Sequence, residues 1–281
     1  MVILNGGMAT RFGGAVKGAV EVFDGKSFLE LKIRVADRVS EKIRFFIMNS
    51  FATEEKTEEH FRDKGYFGVE DRVEMFNQFI APRIDKNGGY YTPGDDPMKA
   101  FYGPGHGDFP YAFRESGLLE RFEESGGRYI FFSNVDNLGA VPLPEILGYH
   151  IKSGGELTSE VAEKSPGDEG GAPALVNGRI QLVEGFCFPP GFDSSAIPVF
   201  NCNSYWVTAE SLRKDFRLPW YVVEKKTGGD TVIQFEHLSG DLSVFLETSF
   251  LKVPRNERFF PVKRPEDLDS GREELRKITG F

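Results

Sequence analysis

Cysteine and histidine are scarce in this 281-residue chain, which has two of the first, Cys187 and Cys202, and four of the second. Two cysteines cannot build a disulfide scaffold, and they show no paired metal-ligand spacing. Long apolar runs are missing too. The longest, such as IRFFIM at 43–48, are strand-sized, far short of the roughly 18 residues of a membrane span. No basic region followed by an apolar segment marks a signal peptide, so a reduced cytoplasmic setting is expected. Positive charge is in deficit as well, with 34 Lys and Arg against 43 Asp and Glu and a net charge of −9. Phosphate backbones attract clustered Lys and Arg, so this balance argues against a general nucleic-acid binder. It does not forbid a small anion in a local basic pocket. What the chain has in quantity is core material: 40% hydrophobic residues, including 27 Phe, exclude global disorder. The length allows one large or two small domains.

Along the chain, strand and helix signals alternate. Met1 to Leu4 is a short apolar strand that breaks into Asn5-Gly6-Gly7. Phe28, Leu29, Leu31, Ile33, Val35, Ala36 and Val39 carry helical spacing, and 44–48 returns to strand character. A charged helix follows over 53–64, with Thr53 as N-cap and Gly65 as stop, then a strand over 72–76. Residues 85–108 are dense in Gly, Pro and Asp and read as one long functional loop. A helix near 111–124, a strand at 128–133 and a helix at 143–153 complete an α/β pattern with a largely parallel sheet. Beyond Glu156 the texture is β-rich, at 157–163, 174–177, 179–184 and 198–201, expected to extend or cover one side of that sheet. A strand near 250–253 and a short helix near 270–278 close the chain. Repeats, low-complexity segments and linkers are absent.

Three constellations could carry chemistry. LNGGMATRFGG at 4–14, followed by Lys17, puts glycines after a strand, where backbone N–H groups approach phosphates and a lysine adds charge. It has neither P-loop spacing nor the G-x-G-x-x-G dinucleotide fingerprint. GPGHGD at 103–108 alternates three glycines into a wall free of side chains, with His106 set among them. His60, His150 and His237 read as surface or packing residues. FFSNVDNLGA at 131–140 places Asn134 and Asp136 at the carboxyl end of a strand, where open α/β sheets bind ligands. A lone Asp there is ordinarily a turn former or cap. Beside an anion-binding loop it reads better as a divalent-metal ligand, since Mg²⁺ takes one or two carboxylates plus substrate phosphates.

Together these motifs resemble the UTP–glucose-1-phosphate uridylyltransferase family in its eukaryotic-type branch. The resemblance continues in order through Asn77-Gln78 with Pro82-Arg83-Ile84, then Phe200-Asn201-Cys202-Asn203 before Trp206-Val207. VIQFE at 232–236 and VPRNERFFPVK at 253–263 complete it. The resemblance implies a glycosyltransferase-A-like nucleotidyltransferase fold: a Rossmann-like, mixed, mostly parallel sheet flanked by helices, forming one catalytic domain over 1–281. It implies that UTP and a sugar 1-phosphate, glucose 1-phosphate first, give a UDP-sugar and pyrophosphate with Mg²⁺. Carried over by motif, Gly6, Gly7 and Met8 meet the uridine through backbone, and Gln78 and Gly105 recognise uracil. His106, Asn134, Asn201 and Asn203 contact the sugar phosphate. Lys17 and Lys263 hold phosphates, and Asp136 binds the metal. Neither lysine is read as part of an apolar core.

Some positions depart from the family pattern. Ala9 replaces the third glycine of G-G-x-G-T, Val16 stands for the proline before Lys17, Glu169 for a lysine, and His237 for a threonine. Set against the family, only the catalytic core is expected here, without the upstream helical segment or the carboxy-terminal β-helix domain that in relatives often mediates subunit contacts, so a monomer or weak dimer is expected. Two competing readings remain: a relative serving other sugar 1-phosphates, including N-acetylhexosamine 1-phosphates, and a sugar-nucleotide binder without turnover. Retention of Lys17, Asp136 and Lys263 argues against the second.

Overall fold

The computed structural model describes every residue except 10, 11, 166, 167, 169, 194 and 195, so Glu169 lies outside the described residues. Seven strands form the central sheet. They are β1 (Val2–Leu4), β2 (Phe45–Asn49), β3 (Val73–Asn77), β4 (Tyr129–Asn134), β5 (Leu157–Glu163), β6 (Val199–Thr208) and β7 (Thr248–Lys252). Their spatial order is β7-β5-β6-β4-β1-β2-β3. The β4-β1-β2-β3 half is parallel throughout, and β5 pairs with β7 in parallel, while β6 runs antiparallel to both neighbours. This is the mixed, mostly parallel sheet that the sequence leads one to expect.

Helices cover both faces because alternate strand residues point to opposite sides. Ile3, Phe45, Ile47 and Phe131 pack with Phe28 and Leu29 of α1 (Phe28–Val39) and Leu275 of the C-terminal helix Pro265–Thr279. Val2, Leu4, Phe46 and Phe132 pack on the other face with Phe109 and Phe113 of the helix Phe109–Glu115. Each fully buried side chain of this size contributes roughly 1.5–3 kcal/mol. α1 starts where it does because the Ser27 hydroxyl accepts the Glu30 N–H at 3.1 Å.

Several expectations need correction. The helix near 111–124 is two, Phe109–Glu115 and Leu118–Glu124, broken at Gly117 with φ 72°. Thr53 does precede its helix, but its hydroxyl accepts the Ser50 N–H at 2.9 Å instead of capping. The last helix begins at Pro265, five residues early, because the Asp267 carboxylate accepts the N–H groups of Lys263 and Arg264 at 2.8 and 2.7 Å. β6 continues to Thr208, so the β-rich region supplies two interior strands, while Ala172–Val176 and Arg179–Val183 form a separate hairpin. The hairpin Tyr221–Thr227 with Asp230–Glu236 was not expected as an element; it turns at Gly228-Gly229, both at positive φ. It ties down the long loop through Ile84, whose N–H and C=O bond Ile233 at 3.0 and 2.8 Å.

Candidate active site

Leu4, Met48 and Asn134 stand side by side in register at the carboxyl ends of β1, β2 and β4. They line a cavity of about 450 Å³, which is also lined by Gly6, Gly7, Met8, Lys17, Gln78, Gly105, His106, Asp136 and Lys263. Ten of the twelve candidate site residues therefore meet around one space. Asn201 and Asn203 do not line it. A larger cavity, about 1040 Å³, lies along the segment 252–263. It shares only Lys263 with the candidate set, and its other cations are already paired, Lys252 with Glu163 at 3.3 Å and Arg255 with Asp168 at 2.7 Å. The smaller cavity is the chemically equipped one.

One wall is nearly all backbone. Gln78 leaves β3 with its N–H on the Asn49 carbonyl at 2.8 Å, and its side chain enters the space between Gly6 and Gly103. A Cβ on either glycine would collide with the Gln78 amide. Gly105 has φ 102°, and a Cβ there would run into the His237 carbonyl oxygen. Glycine is required here for close approach and for conformation together.

His237 is more than a surface or packing residue. Its N–H donates to Pro104 O and its carbonyl accepts from Gly107, at 2.8 and 3.0 Å, so its backbone straps the glycine wall in place. Its ring bonds the buried Asp108 carboxylate at 2.9 Å and stacks on Trp220 with centroids 3.5 Å apart. His106 is held by Ser239, whose N–H donates to Nδ1 at 3.0 Å. That bond assigns the proton to Nε2. Burial pushes the ring's pKa down to about 4. His106 is thus a neutral donor at pH 7.

The opposite wall is a relay of amides. Asn203 Nδ2 donates to Asn134 Oδ1 at 3.0 Å, and the Asn203 N–H donates to Asn201 Oδ1 at 3.0 Å. Asn201 in turn donates to the Tyr205 hydroxyl at 2.6 Å. The pairing of β5 and β6 shifts register between Ser159 and Val161, and Asn203 sits in the resulting bulge at φ 54°, which asparagine tolerates. The antiparallel register of β4 with β6, which sets Ser204 opposite Ser133, is what brings Asn203 to Asn134. The two asparagines reach the cavity through Asn134.

Charge concentrates at the floor. Lys17 donates to Val262 O at 2.5 Å and lies 4.1 Å from the Phe12 ring centroid and 5.2 Å from that of Phe28. It is 9% exposed, so the expectation that it stands outside apolar surroundings is corrected. Lys263 is exposed. Burial pushes the Asp136 carboxyl's pKa up, and the ammonium groups of Lys17, Lys32 and Lys263 pull it back. Lys32 is a residue that the motifs do not flag: it is wholly buried, bonds Asn137 O at 2.6 Å, and burial pushes its pKa down to about 7. Its signal was its place, four residues from both Phe28 and Ala36 on the core stripe of α1. Glu184 and Asp241, which do not line the cavity, also carry perturbed carboxyls. Burial, and for Glu184 also the Asp241 charge, raises each carboxyl to about 6. Glu236, also unforeseen, adds a carboxylate to the cavity lining.

Among the described residues no group of three or more His, Cys, Asp and Glu could hold a metal by itself. Asp136 alone at the floor still fits Mg²⁺, which takes one or two carboxylates and fills its shell with phosphate oxygens and water. No helix among those residues is long and apolar enough to cross a membrane.

Comparison with known proteins agrees with this fold. The family described as UTP–glucose-1-phosphate uridylyltransferase matches residues 1–277. Proteins of that name from Encephalitozoon cuniculi and, as form 2, Dictyostelium discoideum are 32% and 33% identical over 94% of this chain and 56% of their own length. The chain thus spans a little over half of these relatives. Among solved structures, UDP-glucose phosphorylase from Trypanosoma brucei superposes with a TM-score of 0.84 at 29% identity, covering 95% of this chain and 63% of that one. A mutant of the Leishmania major UDP-glucose pyrophosphorylase, solved in complex with UDP-glucose, gives 0.81 at 29%, covering 95% and 64%.

Proposed function

Because the chain belongs to the UTP–glucose-1-phosphate uridylyltransferase family, we propose that it makes a UDP-sugar and pyrophosphate from UTP and a sugar 1-phosphate, glucose 1-phosphate first. The observation that carries this reading is the convergence of ten candidate residues on one cavity at the carboxyl ends of β1, β2 and β4. We take 1–281 as one catalytic unit working in the cytoplasm as a monomer or weak dimer, a state light scattering at micromolar concentration checks.

The nucleophile is a phosphate oxygen, already anionic at pH 7, so no general base is needed. The difficulty lies in joining two anions and stabilising the charge that moves onto pyrophosphate. Gln78, held in the slot between Gly6 and Gly103, offers uracil a donor and an acceptor. Lys17 and Lys263 meet the phosphates from opposite chain segments, and Lys17 is fixed beforehand by its bond to Val262 O. His106 Nε2–H and the Asn134–Asn203 pair orient the sugar phosphate without adding charge. Asp136 would hold Mg²⁺, which when bound neutralises phosphate charge. Catalysis is then alignment plus preorganised electrostatics.

The test is pyrophosphate release over a panel of nucleoside triphosphates and sugar 1-phosphates. UTP with glucose 1-phosphate should give the highest kcat/KM. Comparable rates with UTP and ATP would overturn uridine recognition by Gln78, because a site built for one base rejects those that leave its polar groups unpaired.

A further inference from the structure

α1 buries a charge that the mechanism above leaves unused. Lys32 is 0% exposed, as are Phe28 and Ala36 one turn to either side. An ammonium in such a place is costly unless it is bonded and opposed by negative charge. Its Nζ donates to Asn137 O at 2.6 Å, and its counter-charges are Asp136 and Glu160. Both Glu160 oxygens are already taken by the Arg258 guanidinium, at 2.8 and 2.6 Å.

The turn after β4 is gripped from two sides. From the C-terminal segment, Phe260 N–H donates to Asn137 Oδ1 at 3.0 Å, Arg258 donates to Gly139 O at 2.9 Å, and Val262 N–H to Asp136 O at 3.3 Å. Asn137 Nδ2 returns a bond to Arg258 O at 3.0 Å. From the α1 side the grip is Lys32. A turn pinned at the Asn137 carbonyl cannot roll, and Asp136 is the residue before it.

We propose that Lys32 is a positioning residue of the transferase site, its buried ammonium fixing through the Asn137 carbonyl the turn that presents Asp136 to the cavity. This rests on the uridylyltransferase reading above. Lys32 does not line the cavity, so it acts through Asp136 and not on substrate. Its loss should therefore act on kcat. The slot for the base, built on β1, β3 and the glycine wall, stays as it was.

Two variants test this. Lys32→Met matches the length and removes the ammonium; Lys32→Gln keeps a donor for Asn137 O without the charge. Thermal melts, UTP affinity by calorimetry, and pyrophosphate release with UTP, glucose 1-phosphate and varied Mg²⁺ are read for both variants and the unmodified protein. Lys32→Met is expected to fold but to melt below the parent temperature, because removing one partner of a buried, bonded charge leaves the Asn137 carbonyl and the Asp136 carboxylate without it. Its kcat should fall about 10–100-fold, the scale of a misplaced catalytic group, with UTP affinity within about twofold. Lys32→Gln should fall between. An unmodified protein that releases no pyrophosphate with any substrate pair fails the functional reading itself. An active parent with a folded Lys32→Met variant of unchanged kcat overturns the positioning role alone. So does a parallel loss of UTP affinity, or failure of both variants to fold, since either makes Lys32 a residue of the fold.

Discussion

The glycine wall and the asparagine wall of the cavity are built in opposite ways. On the first, Gly6, Gly103 and Gly105 bring main chain against the Gln78 amide and the His237 carbonyl, so closely that a methyl group would collide. On the second, Asn134, Asn203 and Asn201 orient one another through bonds of 3.0 Å, behind a bulge in β6. A wall of backbone gains precision from what is missing and fails when an atom is added. A relay of side chains gains it from what is present and fails by degrees as members are removed.

The floor between the walls sets the scale for both. Lys17→Ala should lower kcat by roughly 10²–10³, the effect of deleting one preorganised electrostatic contact. Asp136→Asn should do likewise and weaken the response to Mg²⁺, because the amide keeps the shape but loses most of the attraction for a cation. Melting temperatures taken beside rate-against-Mg²⁺ curves separate this from a capping role, whose loss costs about 0.5–2 kcal/mol of stability instead. An Asp136→Asn protein with normal rate and Mg²⁺ dependence returns the residue to structure.

Next comes the glycine wall. Gly105→Ala adds one carbon at φ 102° against the His237 carbonyl. The strained backbone costs about 1–3 kcal/mol, enough to raise the KM for UTP roughly 10–100-fold as the wall shifts from Gln78. A UTP KM within threefold of the parent value would show that the wall yields, and the contrast between the walls would go with it.

That contrast also explains what the sequence disclosed. Gly6, Gly7 and Gly105 were legible because a backbone demand is local: glycine after a strand, or three in alternation, announces itself within ten residues. Strand and helix alternation was legible for the same reason, as each buried face repeats along its own element. The break at Gly117 and the early start at Pro265 were less so, since both depend on how short stretches terminate. Lys32 was hidden because its meaning comes from Asn137, 105 residues away, and from Asp136 beside it. Asn201 and Asn203 were found by family resemblance, yet only the pairing of β4 with β6 reveals that they work through Asn134. His237 read as packing until its backbone met Gly107 and its ring met Asp108.

On the asparagine wall the expected loss is smaller. Asn203→Gly keeps the left-handed backbone at φ 54° and removes the amide that steadies Asn134. One such bond contributes about 0.5–1.5 kcal/mol, or roughly a 2–12-fold rise in KM for the sugar 1-phosphate. The KM for UTP should hold. Equal changes in both constants would mean that the two walls are not separate.

The smallest effect concerns Glu184 and Asp241, held at about 6 against ordinary values of 4.5 and 3.8. A carboxyl with a raised folded pKa keeps its proton in the native state after the unfolded chain has released it. Stability from this source therefore falls as pH rises from about 4 to about 6, and above that window both groups are charged at a cost. His106 and His150 act in the opposite sense, because burial holds both near 4 and stability is lost as pH drops below 6.5. The two trends overlap, so a single melting curve against pH cannot separate them. The difference between Glu184→Gln and the parent protein can, since the histidine contributions cancel. The variant lacks a charge that is buried and faces Asp241, so it should melt a few degrees higher at pH 7.5. As pH falls through 6 the parent carboxyl takes up its proton, and the gap should close by pH 5. A gap that is constant across that range would assign Glu184 an ordinary solvated carboxyl and remove the charge difference between this region and the neutral amides beside it.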